Sequence, residues 1–289
     1  MEEGVNRMNI PFTKMHGCGN DYIYINCFDH SIERPEQLSK VISDRHFGIG
    51  GDGIVLICPS DVADAKMRMF NIDGSEGKMC GNAIRCVAKY VYENNIVAKE
   101  TLEIDTLSGI KIIQLHVKNG VMELATVDMG KPILYSKSIP VLMEDQETLV
   151  NFPILVEDTP YTITAISMGN PHCVIFCEDI EAINLPLIGP KFELHSMFPE
   201  SVNTEFIKIE NRNTIHMRVW ERGSGETLAC GTGACAAVVA AVLNGYCDKD
   251  TDVIVKLRGG ELIIRYTDES VYMTGPAITV FDGVIKWNE

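Results

Sequence analysis

Two cysteines sit 150 residues apart in matching surroundings, and the match extends well beyond them. Cys80 opens Cys80-Gly81-Asn82-Ala83-Ile84-Arg85-Cys86-Val87-Ala88, and Cys230 opens Cys230-Gly231-Thr232-Gly233-Ala234-Cys235-Ala236-Ala237-Val238. The same offset relates Gly19-Asn20 to Gly169-Asn170, Arg68 to Arg218, Glu76 to Glu226, Gly109 to Gly259 and Val121 to Val271. Order and spacing hold from Gly19 to Val271, which is a duplication and not a scatter of turn glycines. A long period used twice predicts two similar domains, not a solenoid of short repeats. The 289 residues suffice for two domains that each bury a core. The expected division is 1–128 with a returning C-terminal strand 277–289, and 129–276. The crossing falls near Met129-Gly130-Lys131-Pro132 and the return near Gly275-Pro276.

The periodicity predicts the same plan in both halves. In the first, Ile10 to Cys27 reads as strand, turn, strand, and Pro35 to Phe47 as a helix. Gly48 to Gly53 is a glycine loop, followed by strands at Ile54 to Cys58 and Lys66 to Asn71. A helix is expected from Gly81 to about Glu93. Leu102 to Leu124 is read as two strands joined at Lys118-Asn119-Gly120, where Asn-Gly favours a hairpin. In the second, strands are expected within Tyr161 to Phe176 and at Asn203 to Ile209 and Thr214 to Trp220. The helix from Gly231 to Leu243 follows, then a hairpin within Asp252 to Thr274 and a last strand from Ala277 to Trp287. Helices this apolar must be covered on most sides. The predicted class is therefore α+β, each half a curled, mostly antiparallel sheet wrapped around a central helix.

Composition narrows the function. A net charge of −15 with no basic stripe disfavours nucleic acid as a partner. The start, Met1-Glu2-Glu3-Gly4, is acidic and lacks a secretory apolar region. The longest apolar run, around Ala234 to Leu243, is too short to span a bilayer. Ten cysteines without such a signal point to free thiols in a reducing, cytoplasmic setting. No paired Cys-x2-Cys knuckles occur, so no metal site is expected. Cys173 and Cys177 are read as strand residues, and Cys86 and Cys235 as packing thiols. Neither glycine loop completes a Walker or dinucleotide fingerprint.

A cysteine at a helix start faces unpaired N–H groups and the positive end of the dipole, which favours thiolate. Two in duplicated halves suggest an acid/base pair facing one substrate, with Gly81-Asn82 and Gly231-Thr232 as anion-binding helix starts aimed at a carboxylate. A thiol redox couple is the alternative from another class. Taken singly, Asn20 and Asn170 fit left-handed turn positions, His172 a satisfied packing histidine, and Glu221 with Arg222 a solvated pair.

The motifs Met15-His16-Gly17-Cys18-Gly19-Asn20-Asp21, Asn71 to Cys86, Met168-Gly169-Asn170-Pro171-His172, Asn203-Thr204-Glu205 and Glu221 to Gly233 resemble those of the diaminopimelate epimerase family over nearly the whole chain. The resemblance implies two pseudo-symmetric halves with a cleft between them and no cofactor. It implies interconversion of LL- and meso-2,6-diaminopimelate, which supplies lysine and peptidoglycan precursors, in a homodimer. By the same resemblance Cys80 and Cys230 are the two bases. Gly81, Asn82, Gly231 and Thr232 hold the reacting carboxylate. Asn20, Asn71, Asn170, Asn203, Glu221 and Arg222 bind the amino groups and the distal carboxylate, and His172 and Glu221 tune the thiols. Gly53 stands where some members of the family carry Gln, so no substrate contact is assigned there. The chemistry agrees: inverting a carbon through a planar intermediate needs a proton donor on each face, and the charge that develops needs preorganised donors.

Overall fold

A computed structural model describes residues 7–143 and 147–288, so the acidic Met1-Glu2-Glu3-Gly4 start lies outside the described residues. The chain divides into two compact units, Met1–Val127 with Gly275–Glu289, and Asp128–Thr274.

The first unit opens with strands β1 (Arg7–Gly17) and β2 (Asn20–Asn26), then helix α1 (Pro35–Ile42). Strands β3 (Gly53–Cys58), β4 (Ala65–Asn71) and the short β5 (Glu76–Gly77) lead to helix α2 (Gly81–Glu93). Strands β6 (Thr101–Asp105), β7 (Lys111–Lys118) and β8 (Val121–Asp128) follow. Pairing is antiparallel except at β2–β3 and β4–β6. Helix α2 packs against β1, β2, β4, β6 and β7. It is buried from Gly81 to Lys89 and again at Val91. Its two cations go under with partners: Arg85 Nη1 donates to Gly81 O at 2.9 Å, and Lys89 Nζ to Met122 O at 3.0 Å. A second core layer, built on Ile10, Ile23, Leu38, Ile54 and Phe70, lies under α1.

The second unit repeats the plan. Strands β9 (Phe152–Val156), β10 (Thr159–Ser167) and β11 (Pro171–Phe176) precede helix α3 (Leu185–Glu193). Strands β12 (Asn203–Asn211), β13 (Thr214–Glu221) and β14 (Gly225–Thr227) lead to helix α4 (Gly231–Leu243), and β15 (Asp252–Leu257), β16 (Gly260–Tyr266) and β17 (Val271–Gly275) close the unit. The parallel pairs are β11–β12 and β13–β15, the counterparts of those in the first unit. Helix α4 carries no charged residue and is sheathed by β10, β11, β12, β13, β15 and β16. The last strand, β18 (Ile278–Asn288), returns to the first unit and pairs antiparallel with β1.

Four expectations need correction. Helix α1 stops at Ile42 instead of Phe47, because Ile49 and Gly50 N–H both donate to Ile42 O. The Asp44 carboxylate meanwhile turns the chain by accepting from His46 and Phe47 N–H. The stretch Leu102 to Leu124 holds parts of three strands, since the turn at Thr106 to Ile110 splits off β6. The Asn119-Gly120 hairpin stands, with φ of 53° and 78° as its turn type requires. Likewise Asp252 to Thr274 holds three strands, not one hairpin. Cys173 lies in β11, and Cys177 falls just past its end.

Candidate active site

Both cysteines occupy the N-cap of a central helix in extended geometry, φ −136°, ψ 122° at Cys80 and φ −115°, ψ 114° at Cys230. Cys230 turns its side chain onto the first turn, accepting from Gly233 N–H, whereas the Cys80 side chain makes no such capping bond. The first carbonyl contacts match as well, with Ile84 N–H on Cys80 O and Ala234 N–H on Cys230 O, both 2.9 Å.

The surroundings of the two sulfurs differ. Cys80 is partly exposed and donates to Asn20 Oδ1 at 3.3 Å. Asn20 is held in turn by its Nδ2, which donates to Asp52 Oδ2 at 2.7 Å. A carboxylate on the amide nitrogen leaves the amide oxygen facing Cys80, and an acceptor there suits a protonated thiol. Asp52 and Asp21 are fixed by Arg45 at 2.8 and 2.7 Å, and Asp21 also by Lys14 at 2.7 Å. Burial would raise the Asp21 carboxyl, but the hydrogen bonds and charges of Arg45 and Lys14 bring it below its ordinary value. Asn82 is buried, its Oδ1 accepting from Arg85 Nη2 at 3.0 Å. Asn71 is tied to Ser75 Oγ at 3.0 Å.

Cys230 is buried among carboxylates. Its Sγ accepts from Gly233 N–H at 3.3 Å and lies 3.5 Å from Thr232 Oγ1. Burial, then the negative charges of Glu221 and Glu205, push its thiol well above the ordinary range, outweighing the Thr232 and Gly233 hydrogen bonds. The expectation that the helix start favours thiolate is therefore reversed here in the resting protein: desolvation and two carboxylates overcome the dipole. Glu221 is raised too, by burial, with hydrogen bonds from Thr227 and Cys230 pulling it back.

His172 is fully buried. Its Nδ1 meets Glu205 Oε1 at 2.7 Å and its Nε2 meets Asn170 Oδ1 at 3.1 Å. Asn170 Nδ2 continues to Thr232 Oγ1 at 3.3 Å. Asn203 is buried with its amide engaged at both ends, donating to Pro171 O and accepting from Arg222 N–H, each 2.9 Å. It positions Arg222, whose exposed guanidinium reaches Glu200 O at 2.8 Å. The second unit therefore gathers Cys230, Gly231, Thr232, Asn170, His172, Asn203, Glu221 and Arg222. The first gathers Cys80, Gly81, Asn82 and Asn20, with Asn71 on the neighbouring β4. Glu205 was not among the sequence candidates, and its place in the quoted Asn203-Thr204-Glu205 motif was the available signal. Gly53 has no room for a side chain, since a Cβ would fall 2.0 Å from Phe70 O.

Comparison with known proteins bears on the family. The family model for diaminopimelate epimerase matches residues 12–135 and 164–280. Diaminopimelate epimerase of Acetivibrio thermocellus is 52% identical over 280 residues, covering 96% of this chain and 99% of that protein. Diaminopimelate epimerase of Methanococcus maripaludis strain C5 is 55% identical over 278 residues, covering 96% and 99%. Among solved structures, a hydroxyproline epimerase from Agrobacterium vitis superposes with TM-score 0.72 at 12% identity, covering 97% of this chain and 93% of that one. A PhzF-family protein of Bacillus anthracis does so with TM-score 0.68 at 16% identity, covering 96% and 99%. Those two likenesses concern the fold. The sequence matches decide the family: the chain belongs to the diaminopimelate epimerases.

Proposed function

We propose that the protein epimerises LL-2,6-diaminopimelate to the meso isomer, and back, by a two-base mechanism without a cofactor. The observation that carries this is the paired N-cap cysteine, one on each central helix, in a chain of this family. One thiol takes the α-proton as thiolate, and the other delivers a proton to the opposite face as thiol. N–H groups of Gly81, Asn82, Gly231 and Thr232 hold the reacting carboxylate and the charge that develops beside it. Glu221 exchanges a proton with Cys230, and Asp52 keeps Asn20 turned toward Cys80. Asn20, Asn71, Asn170 and Arg222 bind the amino groups and the distal carboxylate, for which the forked guanidinium is suited. Asn203 sets the Arg222 backbone.

The product serves lysine and cell-wall precursor synthesis in the cytoplasm. Among the described residues no helix is long and apolar enough to cross a membrane. We further propose a homodimer through β18, which exposes Ile278, Val280, Phe281 and Val284. Purified protein is expected to interconvert the two diaminopimelate isomers. Inactivity on both, alongside turnover of proline or hydroxyproline, would reject the substrate assignment.

A further inference from the structure

Glu205 is a carboxyl side chain with no exposure to solvent, on β12 behind the Cys230 turn. One oxygen is spent on His172 Nδ1 at 2.7 Å, and the other, Oε2, is buried without a hydrogen-bond partner among the described residues. A buried carboxyl group with a bare oxygen is costly, and a core position could be filled more cheaply by an apolar side chain. From it a continuous chain runs through His172, Asn170 and Thr232 to the Cys230 sulfur, with links of 2.7, 3.1, 3.3 and 3.5 Å.

The direction of that chain follows from proton counting. His172 Nε2 faces an amide oxygen, so Nε2 carries a proton. The amide of Asn170 is then oriented with its nitrogen toward Thr232, which accepts. Having accepted there, the Thr232 hydroxyl is left with its own proton to offer the sulfur. With Nε2 protonated, Nδ1 pairs with Glu205 in one of two ways: the carboxylate accepts from Nδ1–H of an imidazolium, or the carboxylic acid donates to Nδ1 of a neutral ring. In both, the pair holds one proton more than a carboxylate and a neutral ring, which would leave Nε2 bare, and that shared proton keeps Nε2–H in place.

We propose that Glu205 is a positioning residue: it locks His172 with Nε2 protonated, so that every donor in the chain points toward the Cys230 sulfur and Thr232 donates to the thiolate when it forms. The groups gathered around that sulfur are then sorted by task. Glu221 on β13 takes the proton, while Thr232 and Gly233 N–H on α4 receive the sulfur's charge. The role deepens the two-base reading and rests on Cys230 being one of the bases.

The test joins a spectroscopic and a kinetic measurement on the whole protein. With 15N-labelled histidine, assigned by His172→Gln, the His172 Nε2 resonance is expected to be that of a protonated nitrogen near neutral pH. An unprotonated Nε2 overturns the proposal whether or not diaminopimelate is the substrate. Glu205→Leu is expected to lower kcat at least about tenfold with KM within about twofold. Glu205→Gln, whose amide can donate to Nδ1 and keep the Nε2 proton, restores kcat to within about threefold of the original. Thr232→Val is expected to match the Glu205→Leu loss, and the double variant to lose no more than the worse single one. Multiplying losses, or no rescue by Gln, would assign Glu205 to packing alone. If Glu205→Leu does not fold, the Nε2 resonance and the kcat of Thr232→Val still decide, since an unchanged kcat in the latter removes the chain's end point.

Discussion

A methyl group added at Gly233 would sit 2.6 Å from Glu205 Oε1 and 3.2 Å from Cys230 Sγ, so this glycine is demanded by its neighbours. Neither neighbour can retreat, because both are buried. Gly233→Ala is expected to cost about 1–3 kcal/mol by denaturant titration and to lower activity more than the stability loss explains. Unchanged activity would show that the sulfur's surroundings tolerate displacement. The buried thiols also set an alkaline limit. Burial pushes Cys86 up to about 11 from an ordinary 9.0, against the pull of Tyr24 and Arg85. An acid raised in the folded state holds its proton more tightly there. Its contribution is complete below pH 9 and is lost as pH rises toward 11. Cys86→Ala is therefore expected to flatten the fall of stability over that interval, removing a slope worth about 3 kcal/mol in all. Equal slopes in both proteins would contradict it. The cysteines themselves were legible as residues in a repeated frame. The opposite environments of their sulfurs were not, because Glu205, Glu221 and Asp52 come to them from other strands and loops.

At the scale of elements, the duplication gives matched parts in different settings. Arg68 on β4 pairs with Glu76 at 2.7 Å, and Arg218 on β13 pairs with Glu226, Nε to Oε1, at 3.0 Å. The first pair is about one-third exposed, with side chains at 36% and 30%, whereas the second is at 6% and 16%. Arg218 Nη1 also donates to Ile180 O and Ile183 O at 2.6 and 2.9 Å, pinning the segment that enters α3. Arg218→Ala is expected to cost about 3–5 kcal/mol, because Glu226 and two carbonyls lose a buried partner. Arg68→Ala is expected to cost under about 1 kcal/mol. Similar losses from the two would contradict this account. The repeat made α2 and α4 legible to the residue. Helix α3 has no counterpart among the sequence expectations and carries Pro186, Gly189 and Pro190, poor helix formers, yet it starts 150 residues after α1. Pro186 is tolerated in the first turn, and Gly189 is required because a Cβ there would lie 2.3 Å from the Trp220 ring.

For the whole molecule, one fold used twice supplies two helix starts, each capped by a cysteine, with Asn20 beside the Cys80 sulfur and Thr232 and Gly233 N–H beside that of Cys230. Duplication made the two-unit α+β plan readable, since glycines and apolar runs recur at fixed spacing. It did not disclose the edges of the shorter strands, which depend on pairing partners far along the chain. On the proposed mechanism the same economy lets protein groups alone handle a weakly acidic α-proton, with Cys80 and Cys230 as the proton carriers. If β18 joins two copies, Val284→Asp is expected to halve the mass found by light scattering, and an unchanged mass would remove that strand from the interface. The two-base claim itself is tested most directly by the fate of the α-hydrogen in deuterium oxide. With LL-diaminopimelate as substrate, the account predicts that the first meso product carries solvent deuterium at the inverted carbon, while recovered substrate remains protiated. Product that keeps its original hydrogen would mean that one group both removes and returns the proton, and would contradict a mechanism built on Cys80 and Cys230.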